Sequence, residues 1–131
     1  VDFEAWAIPP LKFDLGGRTY TVQPPSTEQA KQILAAAVRA EVKLGIVKGP
    51  VPPEVEAVLE TIGDTHPALG EDVWQQLVDD NVLPPTRDRV SYYAVFYWAK
   101  GRAYADWIAK ALWAPEAMTA ADGGGADPKG S

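Results

Sequence analysis

A chain of 131 residues and 14.1 kDa accommodates one domain around one hydrophobic core and leaves no room for a second catalytic lobe. Apolar residues at 47% and charged residues at 23% argue against wholesale disorder and fibrous repeats, while the lack of cysteine excludes disulfides, thiolate metal sites and cysteine nucleophiles. Lys and Arg number 12 against 18 Asp and Glu, a net charge of −6 that leaves a phosphate-tracking nucleic-acid surface without the charge it needs.

Charges break every apolar stretch well short of the roughly 20 residues a spanning helix requires, and the first residues lack a basic-then-apolar signal pattern. The expectation is a soluble cytoplasmic protein with neither nucleic acid nor membrane as partner. Val1 stands where methionine is usual, which fits a GTG start codon translated literally, a removed methionine or a chain boundary.

Four Pro-Pro pairs, at 9–10, 24–25, 52–53 and 84–85, punctuate the chain, because proline restricts both itself and its predecessor. Between the first two, Leu11–Leu15 and Arg18–Val22 alternate apolar and polar residues about Gly16-Gly17, the pattern of a two-residue β-hairpin. Leu11, Phe13, Leu15, Tyr20 and Val22 share its inward face, which must pack on helices because a lone hairpin is marginal in water.

Ser26 with Gln29 forms a capping-box pattern for a helix expected to run to about Lys48. Ala30, Ile33, Leu34, Ala37, Ala40 and Leu44 fall on its apolar face, with Glu28, Lys31, Gln32, Arg39 and Lys43 opposite. Pro53 suits the first turn of a short second helix carrying Val55, Val58, Leu59 and Ile62. A third runs from Glu71 to about Asn81 with Trp74, Leu77 and Val78 inward.

Thr86 is read as the cap of a last helix from Arg87 towards Trp113, with a weakness at Gly101. Its main stripe comprises Val90, Tyr93, Ala94, Tyr97, Gly101, Tyr104, Ala105, Ile108, Ala111 and Leu112. Phe96 and Trp107 flank one edge of the stripe, Trp98 the other, and Val95 and Trp113 project from the polar side. The helix is too apolar to be covered on one face alone. The expected fold is therefore mainly α with a small N-terminal β-hairpin, about four helices packed around a long aromatic C-terminal helix. Residues 1–114 form one domain with the hairpin at 11–23, and 115–131 form a flexible acidic, glycine-rich tail with almost nothing to bury.

Sites with catalytic chemistry are hard to assemble from this inventory. His66, the single histidine, lies before Pro67 with Asp64 nearby, but Ser26 caps a helix, Ser91 faces the polar side and Ser131 is terminal, so no nucleophile accompanies it. It reads as a loop-packing histidine. Asp64, Glu71, Asp72, Asp79 and Asp80 cluster about the third helix without the spacing of a cation-binding loop, and acidic residues suit a helix start. Gly16-Gly17 and Gly123–Gly125 match no phosphate-cradling motif. No catalytic residue, cofactor or metal is expected. The four large rings outside the main stripe, Phe96, Trp98, Trp107 and Trp113, are the candidate partner-binding residues, for self-association or for a helix laid in a groove.

The hairpin and its sequel, Phe13-Asp14-Leu15-Gly16-Gly17-Arg18-Thr19-Tyr20-Thr21-Val22-Gln23-Pro24-Pro25-Ser26, with the late stretch Tyr93-Ala94-Val95-Phe96-Tyr97-Trp98-Ala99-Lys100-Gly101-Arg102, resemble tail assembly chaperones of long-tailed (siphovirus-type) bacteriophages infecting actinobacteria. The resemblance spans roughly Leu11 to Trp113. It implies a small, mainly helical, non-enzymatic protein of the host cytoplasm that keeps the tape measure protein soluble, helps tail tube protein assemble around it, and is absent from the mature virion. Such families also often make a longer product by ribosomal frameshifting. Asp127-Pro128-Lys129 permits a −1 slippery heptamer, so a minor form sharing residues 1 to about 129 is expected. A structural virion or head–tail joining protein is the alternative, and a small enzyme resting on His66 and Asp64 the third.

Overall fold

The computed structural model describes residues 9–113; the expected tail at 115–131, its boundary at 114 and the slip site lie outside the described residues. The chain is mainly helical with an antiparallel N-terminal hairpin: β1 (Leu11–Leu15), β2 (Arg18–Val22), α1 (Thr27–Lys43), α2 (Pro53–Glu60), α3 (Glu71–Asp79), α4 (Pro84–Lys100) and α5 (Arg102–Trp113). Among the described residues, no helix is long and apolar enough to cross a membrane.

The hairpin turns at Gly16 and Gly17, both with positive φ (58° and 83°), which a two-residue turn matching strand twist requires and a side chain would disfavour. Its register pairs Leu11 with Val22 and Phe13 with Tyr20, whose rings stack at 5.3 Å. Leu11, Tyr20 and Val22 are buried, as the alternation requires, and Phe13 and Leu15 pack partly buried against the same core. β2 meets α3, where Asp80 accepts hydrogen bonds from the Tyr20 hydroxyl and the Arg18 guanidinium.

Ser26 caps α1 with the reciprocal Gln29 bonds expected, at 3.2 and 2.9 Å. The helix ends at Lys43 rather than near Lys48. Ile46 N–H reaches the Glu41 carbonyl at 2.9 Å and Gly45 N–H the Val42 carbonyl at 3.1 Å, a Schellman closure with Leu44 as the C-cap and Gly45 in the left-handed position after it. Two facial assignments on α1 are corrected: Leu34 is 52% exposed, and Gln32 is buried. The reason is α2, which packs on the flank of α1 and receives the Gln32 amide at Thr61 Oγ1, 3.1 Å away. On α3, Val78 is likewise exposed and Val73 takes the inward place beside Leu77. Asn81, left-handed at φ 61°, closes this helix by the same motif, with Val82 N–H on the Leu77 carbonyl.

The stretch read as one helix from Arg87 is two. Leu83, not Thr86, is the N-cap, and Pro84-Pro85 occupy the first turn, where missing N–H groups cost nothing. At Gly101 the chain takes φ 98° and ψ 169°, a conformation essentially restricted to glycine. The weakness is a complete reversal: α5 folds back antiparallel along α4, so that Tyr93 donates to Asp106 at 2.6 Å and Phe96 meets Tyr104 at 5.5 Å. The core thus gathers Leu11, Tyr20, Val22, Ile33, Leu69, Leu77, Phe96 and Ile108 around α4.

Leu77, wholly buried, should lose about 2–5 kcal/mol on Leu77→Ala in urea unfolding, whereas Leu83→Ala, at a side chain 68% exposed, should stay within about 0.5 kcal/mol. Gly101→Ala places a Cβ in open space, with no atom within 4 Å, so its cost is backbone strain alone. We expect a loss of about 1–3 kcal/mol by the same measurement.

Candidate partner-binding groove

A groove of about 480 Å³ opens between α1, α4 and the segment joining α2 to α3. Buried Ala40, Ala68 and Phe96 make its floor; half-buried Ala36, Ile62, Val95 and Tyr92 rise around it. Arg39 and Lys43 border it from α1, and Asp88 and Ser91 from α4.

The segment joining α2 to α3 is held in place by two polar ties. Trp98 on α4 donates its indole N–H to the Ala68 carbonyl at 2.8 Å, in a buried contact that satisfies both groups. His66 lies flat on Trp74, ring centroids 3.8 Å apart, and its backbone N–H donates to a Glu71 carboxylate oxygen at 2.6 Å while Nδ1 stands 3.2 Å from the other. Arg87 covers the Trp74 ring at 5.1 Å. His66 and Trp74 both face the groove, so the single histidine packs a loop against an indole and forms part of a wall. Asp64 does not bond to it. Among the described residues, no three acidic or histidine side chains converge as metal ligands.

The four aromatic candidates separate. Phe96 is fully buried and Trp98 is 8% exposed, so neither belongs to an outer surface. The reversal at Gly101 covers one edge of α4 with α5, and the 61–70 segment covers the other, which is why rings at the edges of the helical stripe are enclosed. Phe96 still contributes, as the groove's floor. Trp107 is 52% exposed beside Tyr104, on α5. Trp113 is half-buried, edge-on to the groove residue Tyr92 at 6.0 Å and beneath Arg89 at 5.9 Å. Groove residues on α1 and in the loop, Ala36, Arg39, Ile62 and His66, are not distinguishable as a set in the sequence, because two separate segments supply them.

On the far side of α1 from this loop seam, Glu41 is buried between α1 and the α4–α5 pair, accepting from the Tyr104 hydroxyl at 2.6 Å with Lys100 Nζ at 3.7 Å. Burial pushes the Tyr104 phenol up to about 12, and its hydrogen bond to Glu41 adds to the rise. Tyr93 is also pushed up to about 12, first by burial and then by its bond to Asp106.

The fold is that of a small, mainly helical protein with an N-terminal hairpin and an open groove floored by apolar side chains. A family model matches residues 1–131, and the chain belongs to that family, a domain of unknown function (DUF7426). No curated protein and no solved structure matches the chain.

Tyr93 and Tyr104 link stability to alkaline pH. Each holds its proton more tightly in the folded chain than in the unfolded one, where tyrosine titrates near 10, so the stabilisation is complete below about pH 10 and is lost as pH rises towards 12. Urea unfolding midpoints should fall across that window, and Tyr104→Phe should lose about 1–3 kcal/mol at neutral pH because Glu41 forfeits its closest donor.

Proposed function

We propose that this protein is a non-catalytic tail assembly chaperone of long-tailed actinobacteriophages, acting in the host cytoplasm to bind the tape measure protein and assist tail tube assembly. The observation that carries the reading is the groove between α1 and α4: an apolar floor open to solvent and bounded by half-buried aromatic rings suits the apolar stripe of a partner helix. The resemblance supports it from another direction. Its two motif stretches, 13–26 and 93–102, supply most of the hairpin and the C-terminal half of α4 with the Gly101 reversal, and Val95 and Phe96 of the second line the groove.

Co-expression with the tape measure protein of an actinobacteriophage provides the test, together with affinity capture from infected cells. The tape measure protein should become soluble and co-purify with this chain, and the chain should be missing from purified particles. A tape measure protein that stays insoluble and uncaptured overturns the proposal, and stoichiometric presence in purified particles assigns a structural virion or head–tail joining role instead. Mass spectrometry of the same cells should find a minor longer form sharing residues 1 to about 129.

A further inference from the structure

Arg39 and Lys43 stand one helical turn apart on the α1 side of the groove, both exposed. Among the described residues, neither has a carboxylate within ion-pair distance. In a chain of net charge −6 that is unusual company for a groove. Arg18, Lys31 and Lys100 each hold a carboxylate, Arg87, Arg89 and Arg102 lie over aromatic rings, and Lys12, Lys48 and Lys110, which have no such partner among the described residues, do not line the groove. Arg39 is close enough to Tyr92, across the groove, to oppose the upward push of burial on that phenol. The α4 side carries the opposite sign, in Asp88, which also has no ion-pair partner among the described residues.

We infer that the groove takes an amphipathic partner helix flanked on one side only by two carboxylates about a turn apart, which pair with Arg39 and Lys43. Residues at i and i+4 lie roughly 6 Å apart along a helix surface, so a helix lying beside α1 with acids at the same spacing meets both cations at once. Asp88 repels acids on the other flank, and because the apolar stripe already fixes rotation about the axis, the two lips fix the direction, N to C, in which the helix lies along the groove. Exposed ion pairs contribute little individually, so the apolar floor supplies the affinity and the charges supply orientation and partner choice. This rests on the proposed reading of the groove as the partner site and narrows the partner's chemistry.

Two labelled synthetic peptides of about five turns test it against the full chain by fluorescence anisotropy: one with a leucine stripe and glutamates along one flank, and a twin with lysines in their place. The glutamate peptide should bind roughly tenfold more tightly at low salt, and added salt should shrink the difference. The double variant Arg39→Glu, Lys43→Glu should reverse the preference. Both side chains are exposed, so its thermal melt should match the parent's, and Arg39→Gln, Lys43→Gln, which abolishes the preference without reversing it, serves if the reversal disturbs folding. Equal binding of the twins, binding of neither, or a preference that survives the charge changes overturns the inference. Equal binding alongside continued capture of the tape measure protein overturns this inference and leaves the proposed function standing; an intact preference without that capture does the converse.

Discussion

Helix α4 buries Ala94, Phe96, Tyr97 and Trp98, four residues that between them point in most directions around its axis, so no single neighbouring surface can remove them from water. The other elements are arranged to meet that demand. α1 takes one side, α5 returns along another, and the 61–70 segment is bound to a third through Trp98 and Ala68. The Tyr97 hydroxyl reaches the Pro9 carbonyl at 3.3 Å, bringing the chain just before the hairpin against a further sector. The groove is the sector these neighbours leave incompletely filled, with Phe96 at its base.

Polar groups inside this arrangement decide registry more than they add stability. A buried carboxylate is costly unless hydrogen-bonded, and Glu41 meets that condition only when Tyr104 and Lys100, on either side of the Gly101 reversal, are both brought to α1. Tyr93 and Asp106 do the same between α4 and α5. The angle and slide of the three helices are thus constrained by a few bonds whose loss would leave a polar atom stranded.

Much of the fold was legible in local pattern. Alternation about Gly16-Gly17 placed the hairpin and its inward face, and Ser26 with Gln29 placed the start of α1, because both signals act within a few residues. What escaped depends on neighbours distant in sequence. Leu34 and Gln32 exchange their expected environments because α2 packs on a flank of α1 that a helical wheel cannot mark. Leu83 takes the cap from Thr86 because Pro84-Pro85 begins the helix rather than preceding it. Phe96 and Trp98 are surplus surface on a single rod from Arg87 to Trp113, and are enclosed once α5 folds back and the 61–70 segment covers the other edge. Of the candidate site, the sequence marked Phe96 and brought Trp113 near the groove's edge, but the cationic lip on α1 and the His66–Trp74 wall needed three segments to converge.

The seam between β2 and α3 has a consequence for the order in which the molecule comes apart. Helices α4 and α5 are sequence neighbours joined by a tight reversal, so their mutual contacts need only short loops to close, whereas Tyr20 and Arg18 reach Asp80 across some sixty intervening residues. Contacts of that separation are entropically expensive to close, even though Leu11, Tyr20 and Val22 end fully buried in the core they share with the helices. The hairpin is therefore expected to dock last and release first, which native-state hydrogen exchange checks: amide protons in Leu11–Val22 should exchange through openings of lower free energy than those of α4.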